Sequence, residues 1–268
     1  MKDNWITRAD MWVPVRMLGW VFLVVLCFVA PMNAQSPRQA LLVKIEPADG
    51  SYTIAASGSA DPVLHAGVAV DLDGRWLKSK DYPSHTVKKS DATDDLGTAQ
   101  QWSVTFSGLS GEPDLMYRLR AYADRPFADI QVFVSNGTGK PISVASIRPI
   151  AAAGNSTLNL SGAALQDRVL SDSYSEDRPN ITIHDLSEAG TQMYRGVGSQ
   201  LIYNRQSHQS FFAGALTSDR FVTVLRVHLA GNGGQKHIAA YDVDSTLQSK
   251  LSAQITFFQQ ANSSQLSI

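Results

Sequence analysis

The densest set of chemically capable side chains lies in Leu170-Ser171-Asp172-Ser173-Tyr174-Ser175-Glu176-Asp177-Arg178-Pro179. Three carboxylates, one arginine, one tyrosine and three hydroxyls fall within it. Such a set suits a sugar. Carboxylates accept paired hydrogen bonds from vicinal hydroxyls, arginine donates them, and an aromatic ring packs on the apolar face of a pyranose. Asp172 with Glu176 or Asp177 also has the composition of an acid/base pair, since glycoside hydrolysis uses two carboxyl groups at a set separation. The same residues equally suit a solvated connection whose acids pair with Arg178. Thr217-Ser218-Asp219-Arg220 is a smaller set of the same type. Trp76, Tyr82 and Trp102 are the aromatics able to stack on a sugar. Trp76 follows a turn and is the better ligand contact, whereas Trp102 sits on an alternating face and reads as core.

Other motifs fall short of their chemistry. Asp71-Leu72-Asp73-Gly74 starts like a calcium loop but lacks the later ligands and the closing Glu, and reads as a hairpin turn. Gly137-Thr138-Gly139-Lys140 lacks the earlier glycine of a phosphate loop, and Pro141 stands where a Ser or Thr is needed. The histidines are His65, His85, His184, His208, His228 and His237. None is spaced as a metal ligand pair, so no metal site and no cofactor are expected. His184-Asp185 has the types to orient an imidazole, or to be an ordinary edge-strand pair. No G-x-S-x-G elbow is present.

Period-two alternation supplies the elements that must position these groups. Trp102, Val104 and Phe106 share a face, as do Leu115, Tyr117, Leu119 and Ala121 opposite Arg118 and Arg120. Ile130, Val132 and Val134 continue it, then His237, Ala239, Tyr241 and Val243, then Ala253, Ile255 and Phe257. Phe221 to Leu229 is apolar on both faces, as in a central strand. Asp73-Gly74, Asn136 to Pro141 and Gly231 to Gly234 mark turns. Short helical turns are expected near Ala163–Arg168 and Asp185–Gln192. About fifteen strands without crossover helices predict an all-β fold, a large two-sheet antiparallel β-sandwich.

The 268 residues carry 23 basic and 24 acidic side chains. No whole-chain field favours nucleic acid, and 44% hydrophobic content excludes a disordered chain. Met17 to Ala30 is an uncharged apolar run preceded by Lys2, Arg8 and Arg16 and followed by Asn33-Ala34. It is shorter than the ~20 residues of a comfortable membrane span. That order reads as a signal peptide over 1–34, with Met11 as a second candidate start, or as an uncleaved N-terminal anchor; cleavage leaves 35–268 as the sandwich domain, secreted or periplasmic and free of the membrane. Cys27, the one cysteine, lies in the leader, so the mature chain has no disulfide. Asn136, Asn155, Asn180 and Asn262 begin N-x-[ST] sequons, which matter in a eukaryotic secretory pathway.

Long strings of the mature chain resemble the front part of secreted bacterial alpha-galactosidase-like (melibiase-type) glycoside hydrolases. They are Ser51-Tyr52-Thr53-Ile54-Ala55-Ala56-Ser57-Gly58, Trp102 through Asp114, Val169 through Pro179, Gly198 through Ser207 and Gly214 through Phe221. The resemblance implies a supersandwich-like N-terminal domain ahead of a (β/α)8 catalytic barrel, whose two aspartates do the chemistry. This chain has no alternating strand–helix region, so no catalytic residue is carried over. The sandwich of such enzymes packs on the barrel and lends residues to the rim of its pocket. Asp172, Tyr174, Asp177 and Arg178, with Trp76, are the carbohydrate-binding candidates, for a galactoside-type sugar. Three functions follow as expectations: a non-catalytic sandwich supporting a barrel or contacting carbohydrate, a free-standing carbohydrate-binding module, and a small intact glycosidase. N-terminal sequencing of the exported protein should begin at Gln35; a mature chain that still carries Met17 to Ala30 contradicts the leader.

Overall fold

The computed structural model describes residues 41–247 apart from 60, 155–157, 174–179, 189 and 218–219, together with 265–267. The leader expected over 1–34 and the strand expected over Ser252–Phe258 lie outside the described residues. Among the described residues there is no α-helix, only three short 3-10 turns. Seventeen strands form three sheets in which every pair is antiparallel.

The largest sheet has eight strands. It runs β1 (Leu41–Ile45), β2 (Tyr52–Ala56), β3 (Leu64–Leu72), β9 (Val144–Ala153), β16 (His237–Leu247), β15 (Phe221–Ala230) and β12 (Met193–Val197), with β4 (Arg75–Lys78) also on β3. A five-stranded sheet runs β17 (Gln265–Ser267), β8 (Ala128–Ser135), β7 (Asp114–Tyr122), β6 (Gly97–Ser107) and β5 (Ser84–Asp94). A four-stranded sheet runs β11 (Asn180–Asp185), β10 (Asp167–Ser173), β13 (Ser199–Asn204) and β14 (Ser210–Gly214).

These sheets make an all-β sandwich. One hydrophobic cluster draws on all three. Tyr52 of β2 meets Tyr117 of β7 at 5.6 Å between ring centroids. Phe211 of β14 meets Tyr241 of β16 edge-on, also at 5.6 Å. The eight-stranded sheet is therefore one layer, and the two smaller sheets share the other. The chain leaves the five-stranded sheet at β9 and enters the four-stranded one at β10, which divides the second layer.

The alternation read from the sequence places β6, β7 and β8 correctly. Trp102, Val104, Phe106, Leu115, Tyr117, Leu119, Val132 and Val134 are buried. In β16 it fails at one point. His228 pairs with Ala240 but Leu229 pairs with Ile238, so Ala239 is an extra residue. The bulge reverses the faces, burying Ile238 instead of His237 and Ala239. A second bulge lies in β9. Ile147 pairs with Ser245 and Ile150 with Val243, so Arg148 and Pro149 stand opposite Asp244 alone. Proline has no N–H for the ladder, and a bulge is where a sheet tolerates it. Its carbonyl accepts a hydrogen bond from the Tyr52 hydroxyl at 2.9 Å.

The turns follow their residues. Asp73 and Gly74 both have positive φ, 52° and 81°, as a type I′ hairpin requires. The Asp73 carboxylate accepts the Ser143 N–H and the Asp73 N–H donates to the Ser143 carbonyl, which ties the hairpin to the chain entering β9. Asn136 accepts the N–H and hydroxyl of Thr138 and donates to the Lys140 carbonyl, which makes Gly137 to Lys140 a side-chain-braced turn. Ala164–Gln166 is a 3-10 turn where a helical turn was expected. No helix forms after Asp185 among the described residues. Its carboxylate takes the N–H and hydroxyl of Ser187, an alternative that competes with helical bonding. Ile147 is fully buried between the layers. Ile147→Ala should lower unfolding free energy by about 2–5 kcal/mol in urea titration; an unchanged midpoint contradicts the packing described.

Candidate functional site

The four-stranded sheet has two unlike faces. Its inner face runs in rungs: Asp167 opposite Asn204, Val169 opposite Ile202, Ser171 opposite Gln200. All six are buried. Its outer face carries an apolar row across all four strands, Ile183–Leu170–Leu201–Phe212, each paired directly with the next. Ile183 is 65% exposed and Phe212 66%. Ile181 on β11 at 64% and Leu216 just after β14 at 77% extend the apolar surface. Single exposed apolar residues are ordinary, whereas a contiguous set marks an interaction surface.

A polar rung borders the row. Asp185, Arg168 and Tyr203 lie side by side across β11, β10 and β13. Arg168 pairs with Asp185 at 2.5 Å, and the Tyr203 hydroxyl meets His208 Nδ1 at 2.8 Å. Burial opposes charge on Asp185, but the Ser187 hydrogen bonds and Arg168 hold its carboxyl below the usual range. An apolar centre with a charged rim is the anatomy of a protein interface.

The residues expected from sequence divide between sheets. Asp172 is on β10, in register with Ile181. Tyr174, Asp177 and Arg178 lie outside the described residues, in the connection from β10 to β11. Trp76 is on β4 of the eight-stranded sheet, so it does not join them. The His184 ring stacks on Tyr194 at 4.4 Å, and Asp185 is engaged by Arg168 and Ser187 instead of orienting it.

Around Trp76 the structure assembles a network that sequence reasoning missed. The Arg148 guanidinium lies 4.2 Å from the Trp76 ring centroid. It grips Asp244 with two nitrogens, at 2.5 and 3.0 Å, and reaches Asp242 at 3.3 Å. Arg226 adds a bond to Asp244 at 2.6 Å, and His228 Nε2 lies 3.1 Å from Asp242. The bulge at Arg148-Pro149 aims that guanidinium. The available signal was the spacing of Asp242 with Asp244 and of Arg226 with His228, two apart on one face of a strand.

Two arrangements resemble acid/base chemistry and do not support it. The Tyr122 hydroxyl lies 2.8 Å from both Asp94 and Asp129, and Arg120 bonds both carboxylates. Phenol and guanidinium thus fill the gap where a glycosidic oxygen belongs. The Tyr122 hydrogen bond leads in holding the Asp94 carboxyl low, the reverse of a general acid. Asp167 is raised to about 6 by burial, against the Asn204 hydrogen bond and the Arg168 charge. Its bonded partner is the Asn204 amide at 2.7 Å, with no second carboxylate bonded to it among the described residues. Among the described residues no group of three His, Cys, Asp or Glu is arranged to hold a metal ion.

No family model matches the chain, and no curated protein matches it. The raised Asp167 carboxyl makes a signed prediction. The folded state binds its proton more tightly than the unfolded chain does, so this group's contribution to stability falls as pH rises from about 4 to about 6 and then levels. Subtracting the pH–stability curve of Asp167→Asn from that of the native chain should reveal that fall; a flat difference over this range contradicts it.

Proposed function

We propose that this chain is an exported, non-catalytic β-sandwich that docks a second domain on the outer face of its four-stranded sheet. The docked domain is the (β/α)8 barrel of an alpha-galactosidase-like glycoside hydrolase. The observation that carries the reading is the apolar row Ile183–Leu170–Leu201–Phe212 with its charged rim. The identity of the docked domain rests on the resemblance of the sequence strings alone. Covering a large apolar side chain fully is worth about 1.5–3 kcal/mol, so Ile181, Ile183, Phe212 and Leu216 together can offset much of the cost of association. Export rests on the leader over 1–34.

A second reading, contact with a galactoside-type carbohydrate, is favoured by one observation. Trp76 is half-buried on a sheet face furnished with charged and hydroxyl side chains, including Ser146 and Thr246. One side of its indole is already taken by Arg148, which leaves less ring for a sugar.

The test is co-expression of the mature chain with the (β/α)8 barrel of an alpha-galactosidase-like glycoside hydrolase. The two should co-elute in gel filtration, and Ile183→Lys with Phe212→Lys should abolish co-elution while the circular dichroism spectrum stays that of a β-protein. The mature chain alone should leave a chromogenic alpha-galactoside intact. Co-elution that survives both lysines contradicts the docking face, and hydrolysis by the isolated chain contradicts the non-catalytic reading.

A further inference from the structure

The second place where the sandwich is incomplete is the edge of β1. A cleft of about 670 Å³ opens there, between β1 and the inner face of the five-stranded sheet. All five successive residues of β1, Leu41–Ile45, border it. Side chains of a strand alternate between faces, so five in a row can border a cleft only where the strand's backbone edge fronts it. Among the described residues β1 ends the eight-stranded sheet and pairs only with β2. Its outward row of N–H and C=O groups therefore looks into the cleft.

The floor has the period of a strand too. Val87, Lys89 and Asp91 of β5 lie on it at two-residue spacing. Their ladder partners Val104, Trp102 and Gln100 show that this is the inner face of the sheet, since Val104 and Trp102 are core residues. An inner face ought to be covered, yet Val87 is 46% exposed, and Lys89 and Asp91 are exposed beside it. Among the described residues the eight-stranded layer does not extend over β5. A further strand would lie about 4.8 Å beyond β1 in its own layer, with its inward side chains meeting β5 across the ~10 Å that separates sandwich layers.

Charge on the floor narrows the occupant. The Lys89 ammonium sits 5.3 Å over the Trp102 ring. Among the described residues no carboxylate pairs with Lys89 and no cation with Asp91. A strand lying along β5 meets, at its alternate inward positions, an apolar residue, then a cation, then an anion.

We propose that this cleft is a strand-addition site for an extended segment of a partner protein. The segment pairs with β1 as a ninth strand of the large sheet. Its inward positions carry an apolar residue on Val87, an acidic residue on Lys89 and a basic residue on Asp91. Main-chain bonds to β1 give affinity, and the inward positions give selectivity. This site is on a different sheet edge from the apolar docking face and stands independently of it.

The probes are two capped, fluorescently labelled peptides. One is Thr-Val-Thr-Glu-Thr-Lys-Thr-Val-Thr, and the other has its Glu and Lys exchanged. Fluorescence anisotropy with the mature chain should show one isomer preferred by about fivefold or more. Lys89→Asp combined with Asp91→Lys should reverse the preference; both residues are exposed, and circular dichroism checks that losing the Lys89–Trp102 contact leaves the fold intact. N-methylation of alternate amides along one edge of the preferred peptide should abolish binding, and along the other edge should spare it. The proposal is overturned if neither peptide binds at about 1 mM, if the exchange leaves the preference unchanged, or if both methylated peptides bind alike. It is also overturned if ultracentrifugation of the Ile183→Lys, Phe212→Lys chain, whose apolar face is blocked, shows a dimer that neither peptide dissociates, because a second copy then fills the cleft.

Discussion

Mutual burial of the eight-stranded sheet against two smaller sheets is the constraint on which the rest depends. The Tyr52–Tyr117 and Phe211–Tyr241 contacts mark the two seams, one to each smaller sheet. Buried hydroxyls at the first seam are tied in as the layers close, whereas the Tyr241 hydroxyl at the second has no hydrogen-bond partner among the described residues. Tyr52 donates to the Pro149 carbonyl and Tyr117 to the Gly50 carbonyl. Thr223 and Ser245 bond each other at 2.9 Å across neighbouring strands. With the inner faces committed to one core, the outer faces are left to meet solvent or partners.

Those outer faces differ in kind. The eight-stranded sheet shows Arg148, Arg226, Asp242 and Asp244, whose charges satisfy one another. The five-stranded sheet shows Arg120 bridging Asp94 and Asp129, with Arg118 over the Phe133 ring. Only the four-stranded sheet presents an apolar row among the described residues. That division of the surface is what the proposed docking role rests on. The charged network beside Trp76 is a different kind of surface. Its ions are engaged with one another, so its contribution is local order more than unsatisfied attraction.

Fold class was legible because alternation is a local property. Trp102, Val104 and Phe106 announce a half-buried strand without reference to any partner. The bulges at Ala239 and at Arg148-Pro149 were not legible, because a bulge is a relation between two strands. Pro149 inside an apolar run was the one residue that pointed to it. The division of the second layer was hidden for the same reason, since pairing between distant strands decides it. The apolar outer face had a trace in the sequence: Phe211-Phe212 and Leu201-Ile202 put apolar residues on both sides of β14 and β13. That pattern reads as strands covered on both sides, and the structure instead leaves Phe212 open. Trp76 was legible as an aromatic next to a turn, but its partner Arg148 lies 72 positions away in sequence and reaches it only through the β3–β9 pairing.

Solvent paramagnetic relaxation of isoleucine methyl groups in the purified mature chain tests the central claim most directly. A soluble gadolinium chelate should broaden the methyl signals of Ile181 and Ile183 strongly, while those of Ile147 and Ile202 stay sharp. If Ile181 and Ile183 are as protected as Ile202, the outer face of the four-stranded sheet is already covered within the chain, and the docking surface does not exist.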